Sequence, residues 1–454
     1  MRILLIAYYY PPLGGPASIR LGKMVKYLRR FGWEIDVISV KDIIYHSLDY
    51  DLEQECQSDQ IIRTKSWEIL SLLFLINKFF CSFKRLIPLH NRQRKELKQS
   101  WSLYFSFSDT IRNFIKNLLI PDEKIGWFPF AYNKAKNLLL TKRYDLIMTS
   151  IGPFTAALIA NKLSNKYKIP LVIDYRDHWT LHPYNRYISS LHRQISRKWE
   201  EKIIRQASLI TTIGNVMKSE LLNSFPIIEE KNIVTVRNGF DEEDFNFGDL
   251  SFNDVRIESF FTSSQDDLYF TYTGSFYPPI TPKYFLEAMS ALKKRGALPN
   301  NLKIRFIGNY HQDIYSLLSN EELSSHISII PSIPHRETIK AMVKSDVLIL
   351  MLSNKEGKGI LTSKVFEYLR SGKPILAMIP ENSEIAKIIL RDSRHFLCHP
   401  EDVEQISQAI LKVCKDVSHK RSTFSNDKTI IEFSREKQYE KLSRILSEQI
   451  ASPI

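Results

Sequence analysis

The opening forty residues constrain the fold of this chain more than any other part of it. Ile3–Tyr8 is an almost unbroken apolar run, as a parallel strand covered on both faces requires. It leads into Pro11-Pro12-Leu13-Gly14-Gly15-Pro16, then a helical stretch Ala17–Phe31 closed by Gly32, then a second strand at Glu34–Val40. Strand, glycine loop, helix and strand together open a doubly wound α/β domain. The theme returns at Tyr144–Thr149, Leu171–Asp174, Leu209–Ile213 and Ile233–Val236, each reading as a short buried strand between helices.

A second α/β domain starts past the middle. Strands are expected at Tyr269–Thr273, Lys303–Ile307, Ile327–Ile330, Val347–Met351 and Pro374–Met378. Helices are expected at Pro282–Arg295, Arg336–Ser345 and Leu361–Arg370. At 454 residues the chain is too long for one ordinary core. The organisation expected is a first domain over 1–245, a linker near 246–266, a second domain over 266–430 and a closing helical segment over 431–454. The linker is placed where Gly248, Ser251, Asn253, Ser263 and Ser264 break the periodicity.

Between roughly 61 and 120 the rhythm stops. Residues 61–100 hold nine Lys/Arg against two acids, Glu68 and Glu96, which supplies +7 of the chain's net +13. Trp67, Phe74, Phe79, Phe80 and Phe83 are interleaved with that charge. A basic, aromatic helical insertion of this kind suits an anionic membrane surface, apolar face down. The alternative is a helical insertion packed on its own domain with a solvated basic face. The apolar run Ile69–Ile76 is far short of the ~18 residues that span a bilayer, and no signal peptide is apparent at the N-terminus. The expectation is therefore a cytoplasmic protein, peripheral on the inner face of the cell membrane. Four irregularly spaced cysteines argue against a disulfide framework. His395, Cys398 and His399 lie close in sequence without metal-site spacing, so no metal is expected. No nucleic-acid-binding module is recognisable.

Four segments could carry chemistry. Gly14-Gly15 follows the first strand, where an open sheet binds ligands, although it lacks the GxGxxG form. Asp174-Tyr175-Arg176-Asp177-His178-Trp179 puts several ionisable groups at the end of a buried strand, where they must be paired or used. Asn238-Gly239-Phe240-Asp241 reads first as a structural turn. Gly359 to Pro374 carries Thr362, Ser363, Lys364 and Glu367 at the start of a helix, a place that suits a diphosphate. There Lys364 adds positive charge and Glu367 an acceptor for sugar or ribose hydroxyls; the structural alternative is that Thr362 or Ser363 simply caps the helix.

This last segment resembles the donor-binding signature of retaining glycosyltransferases of family 4. Asn238-Gly239 with Asp241 and Tyr272-Thr273-Gly274 resemble further motifs of that family, in the same order. Pro121–Phe130 and the DYRDHW run are similar to a subgroup of bacterial surface-polysaccharide biosynthesis. The resemblance implies a GT-B fold, two Rossmann-like doubly wound domains facing across a cleft, with a final helix over Phe433–Ile450 crossing back to the first. It also implies a nucleoside-diphosphate sugar as substrate with no cofactor and no metal, a lipid-linked or saccharide acceptor, and retention of anomeric configuration.

The site residues so implied are Asp177, Glu367 and Arg176 as catalytic groups. Gly274, Ser275, Lys283, Thr362, Ser363, Lys364 and Glu367 would bind the donor, and Gly14 and Gly15 would form an acceptor or phosphate loop. Three departures from the family pattern stand out: Gly359 occupies the position of a second glutamate, with Glu356 three residues earlier; Arg176 stands where many members have a histidine before the aspartate, which leaves Asp177, with His178 as the second candidate, for the acceptor hydroxyl; and Ser275 with Lys283 replace a phosphate-gripping Arg–Lys pair. Two other functions fit the same fold, a non-catalytic scaffold of a polysaccharide assembly complex and a nucleotide-sugar epimerase.

Overall fold

The computed structural model describes all residues except 42, 44–47, 57, 68–117, 183–186, 253, 262–265, 277–278, 320, 355–358, 360, 420–427 and 452–454. Two compact units emerge. One is Met1–Thr212 with Glu220–Thr235 and Leu442–Ile454; the other is Ile213–Ser219 with Val236–Lys441.

The first unit is built on a seven-stranded sheet in the order β3-β2-β1-β4-β5-β6-β7. Its strands are β1 (Arg2–Ile6), β2 (Glu34–Val40), β3 (Gln60–Thr64), β4 (Leu146–Ser150), β5 (Leu171–Tyr175), β6 (Ala207–Thr212) and β7 (Ile233–Thr235). All pairings are parallel, with Ile3 beside Ile35 and Leu146. Helices such as Pro16–Arg30 and Phe154–Tyr167 link successive strands. Leu4, Val37, Ile147 and Ile173 are buried, as the continuous apolar composition of these strands demands. The chain order reverses between β1 and β4, which makes the carboxyl ends of those strands the switch point of a doubly wound sheet.

The second unit repeats the plan with six parallel strands in the order β10-β9-β8-β11-β12-β13. They are β8 (Leu268–Thr273), β9 (Leu302–Ile307), β10 (Ile327–Ile330), β11 (Val347–Met351), β12 (Ile375–Met378) and β13 (Phe396–Cys398). Phe270, Ile304, Phe306, Ile349 and Leu376 form its core with Met289 and Ile410 from the helices Lys283–Lys294 and Val403–His419. The fold class is thus α/β with two doubly wound parallel sheets.

Several sequence expectations change at their edges. β3 and β13 were not anticipated, and β3 places residues 60–64 in the sheet, so the irregular segment does not begin at 61. The basic aromatic stretch itself, over 68–117, lies outside the described residues. Just before it, Trp67 is exposed and meets Phe130 edge-to-face at 5.1 Å. The helix expected from Leu361 starts at Lys364, three residues later. Cys56, Cys398 and Cys414 are buried and form no disulfide. Among the described residues, no helix is long and apolar enough to cross a membrane.

Candidate active site

In the second unit Gly274 and Lys364, two of the expected residues, meet at the end of β8. Gly274 has φ 106, a conformation that favours glycine. A Cβ there would stand 3.0 Å from Lys364 Nζ, and one on Gly308, which follows β9, would collide with the Gly274 carbonyl. The two strand ends approach so closely that a side chain is excluded at Gly308, while at Gly274 the positive φ disfavours one. Lys364 Nζ donates to the Thr273 carbonyl at 2.8 Å and to Tyr272 Oη at 3.3 Å, and lies 4.3 Å from the Tyr272 ring centroid. Thr273 N donates to Tyr368 Oη at 3.1 Å. Burial pushes the Tyr368 phenol up to about 12, with the Thr273 hydrogen bonds acting against the rise. A cation and an open glycine backbone therefore share one strand end, an arrangement suited to phosphate oxygens.

Glu367 lies one turn further along the helix Lys364–Arg370 and is 7% exposed. Its Oε1 is 2.9 Å from His335 Nε2, and His335 Nδ1 stands 3.9 Å from Asp244 Oδ2. Thr362 and Ser363 are half-buried, and Ser363 at the cap position makes no side-chain capping bond. The capping alternative for these hydroxyls is therefore not what the structure shows for Ser363. Ser275 contributes its carbonyl to Tyr272 Oη at 3.2 Å. Lys283 starts its own helix, 54% exposed and 3.8 Å from Glu287; no contact joins it to Lys364 or Glu367 among the described residues. Gly359 is buried, while Glu356 lies outside the described residues.

In the first unit Asp174 is fully buried at the end of β5. It accepts from Arg20 at 2.9 and 2.5 Å, from Ser150 Oγ at 2.8 Å and from Thr211 Oγ1 at 2.7 Å. Burial alone would raise its pKa, but the Arg20 charge and these bonds hold the carboxyl below the usual carboxylate range. Asp174 is a structural pin between the first helix and the sheet. Arg176 donates from Nη2 to the Gly152 carbonyl at 2.6 Å and stands 3.1 Å from Asp177 Oδ2. The Asp177 side chain is 47% exposed. His178 instead turns to Glu220 at 2.8 Å. That leaves Asp177 as the accessible carboxylate of the run. Trp179 is buried, stacked on Phe154 at 4.7 Å. Gly14 is buried, and Gly15, with φ 95, precedes the helix that begins at Pro16.

His395 is sealed beside β12, where its Nδ1 accepts from Ile375 N at 3.2 Å, and burial lowers its pKa to about 4.

Sequence reading missed His335, Tyr272 as a seat for the lysine, and Asp244. His335 carries no motif of its own; it stands after Pro334 at a strand-to-helix turn, a position where such turns place ligand-facing groups.

Two family models match the chain, Glycosyltransferase Family 4 over residues 17–244 and Glycosyl transferases group 1 over residues 256–429. The chain belongs to glycosyltransferase family 4. No curated protein sequence matches it. Among solved structures, the complex of Anabaena HepE with UDP and glucose has a TM-score of 0.64 at 14% identity, with 99% of this chain and 100% of that chain covered. Sucrose-phosphate synthase from Thermosynechococcus elongatus has a TM-score of 0.63 at 14% identity over 100% of both chains. WaaG, a glycosyltransferase involved in lipopolysaccharide biosynthesis, has a TM-score of 0.57 at 11% identity, with 98% of this chain and 100% of that chain covered. These likenesses establish the GT-B fold, and family membership makes the chain a glycosyltransferase.

Proposed function

We propose that this glycosyltransferase moves a hexose from a nucleoside-diphosphate donor to a lipid-linked or saccharide acceptor during bacterial cell-surface polysaccharide biosynthesis. The observation that carries this reading is the pairing of Lys364 beside Gly274 with buried Glu367 one turn away. Lys364 neutralises the departing diphosphate as the glycosidic bond to the donor breaks, a role that requires no metal ion. Glu367 accepts hydrogen bonds from ribose or sugar hydroxyls, and Gly274 lets the backbone approach the phosphates. We assign Asp177 to the acceptor hydroxyl, as the carboxylate that orients it or takes its proton, with Arg176 fixing the Asp177 position. Departure of the diphosphate and attack on the same face retain the anomeric configuration.

HepE was solved with UDP and UDP-glucose, which makes uridine donors the first to try. The basic segment preceding residue 118 supports the further reading that the enzyme works at an anionic membrane surface on the cytoplasmic side, where a lipid-linked acceptor would be presented.

The experiment is thermal stabilisation of the purified chain by UDP-, GDP-, ADP- and dTDP-sugars without metal. A ligand at a hundred times its Kd stabilises by about 2.7 kcal/mol, an unmistakable shift in melting temperature. A shift with one donor that disappears in Glu367→Ala supports the reading. No shift with any donor counts against it and in favour of a non-catalytic scaffold.

A further inference from the structure

The helix that carries Lys364 and Glu367 does not hold itself in place. It has seven residues, Lys364–Arg370, too few to be stable alone, and Ser363 provides no side-chain cap. Its fixings come from elsewhere in the second unit. At its far end Arg370 Nε donates to Glu242 Oε2 at 2.8 Å, and the guanidinium lies 5.0 Å from the Phe245 ring centroid. In its first turn Glu367 is held by His335, whose opposite edge faces Asp244. Glu242, Asp244 and Phe245 all belong to one short turn, Glu242–Phe245, which Asp241 caps two residues after Asn238-Gly239. That turn is anchored in its own right. Asp241 is buried and accepts from Glu243 N at 3.1 Å, and Gly239, with φ 96, faces the Phe433 carbonyl where a Cβ would collide.

From this arrangement we infer that His335 is a positioning residue for donor binding. It holds the Glu367 carboxylate in its binding orientation and ties it through Asp244 to the Asn238–Phe245 segment. The inference rests on the proposed reading of Glu367 as the hydroxyl acceptor. A carboxylate offers about four acceptor sites, so an imidazole donor at Oε1 fixes the group and leaves capacity for a substrate hydroxyl. The 3.9 Å separation from Asp244 is too long for a hydrogen bond; Asp244 biases the ring by charge. A carboxylate oriented before the donor arrives need not be ordered on binding. The segment that the sequence marks as a plain turn thus acts on the Glu367 carboxylate through His335 and on the far end of its helix through Arg370.

The test uses the full chain and four probes, UDP, GDP, ADP and dTDP, with binding read by calorimetry and transfer by KM and kcat. His335→Leu removes the donor while keeping bulk. His335→Gln places an amide N–H near the position of Nε2, whereas His335→Asn is too short to reach Oε1. Melting curves establish that each variant is folded; should the Leu variant not fold, the comparison of Gln with Asn decides.

The expected result is a roughly tenfold weaker nucleotide Kd and a matching rise in donor KM for His335→Leu and His335→Asn. The Gln variant should remain within about threefold of wild type, and kcat should change less than KM throughout. Adding His335→Leu to Glu367→Gln should cost little more than Glu367→Gln alone, because the two act as one unit. Folded variants with unchanged Kd and KM overturn the inference alone. Equal impairment of Gln and Leu also overturns it, because packing rather than the donated hydrogen bond would then be responsible. Failure of the wild type to bind any of the four nucleotides overturns the proposed function and this inference together.

Discussion

Lys364 Nζ stands 2.8 Å from the Thr273 carbonyl oxygen and 4.3 Å from the centre of the Tyr272 ring. Its charge is thereby fixed at the end of the central strand of the second sheet, beside a glycine whose backbone is open. A carbonyl and a ring face hold a cation without cancelling its charge. Replacing Lys364 with Met should weaken nucleotide binding by tenfold or more, in keeping with about 1.5–3 kcal/mol for a hydrogen bond to a charged group. Calorimetry with UDP checks this; unchanged affinity would remove Lys364 from the donor site.

Glu367→Ala should lower kcat/KM by at least a hundredfold, roughly 3 kcal/mol of transition-state stabilisation. The circular dichroism spectrum should remain that of the wild type. Full activity in a folded Glu367→Ala enzyme would overturn the site assignment.

Two aspartates three residues apart should behave oppositely. Asp174 is buried against Arg20, and removing one partner of such a pair costs about 3–5 kcal/mol. Asp174→Asn should therefore melt many degrees lower. Asp177 is 47% exposed, so Asp177→Asn should keep its melting temperature and lose transfer. Retained transfer in that variant would remove Asp177 from the acceptor role.

His395 gives stability a pH dependence of known sign. Burial lowers its pKa in the folded chain to about 4, against 6.5 for the free side chain, so the folded state binds fewer protons between those values. Stability is complete above 6.5 and is lost as pH falls through that window toward 4, by up to about 3 kcal/mol from this group. His395→Asn should flatten the fall in melting temperature between pH 7 and 5. An unchanged slope would show that other groups dominate.

Replacing the basic residues among 84–98 with Gln should release the enzyme from vesicles containing anionic lipid at moderate salt, where weak electrostatic adhesion is screened. Sedimentation with vesicles measures this, and undiminished binding would discard the membrane role of that segment.

Much of this was legible from sequence because parallel strands buried on both faces announce themselves as apolar runs. Glu34–Val40 and Val347–Met351 fall where the pattern places them. β3 and β13 escaped notice for physical reasons: Gln60 and Arg63 dilute the apolar signal of β3, and β13 is only three residues long. Lys364 and Glu367 could be read as a pair because a helix places residues three apart on one side. His335 could not, because its partners Glu367 and Asp244 are distant in sequence and meet it only through the packing of the second unit. Asp174 looked as functional as Asp177; only the distant Arg20 separates the two.

The closing helix Arg435–Ala451 contributes its part from Leu442 onward to the first unit, where Leu442 and Leu446 are buried and Ser443 Oγ accepts from Trp33 Nε1 at 2.8 Å. The amino-terminal half is therefore not a detachable module. A fragment cut at the apparent linker would leave an indole N–H without its acceptor and an apolar strip bare, inviting self-association. Anyone dissecting this enzyme should circularly permute it, or supply the tail in trans, before concluding that its first half cannot fold.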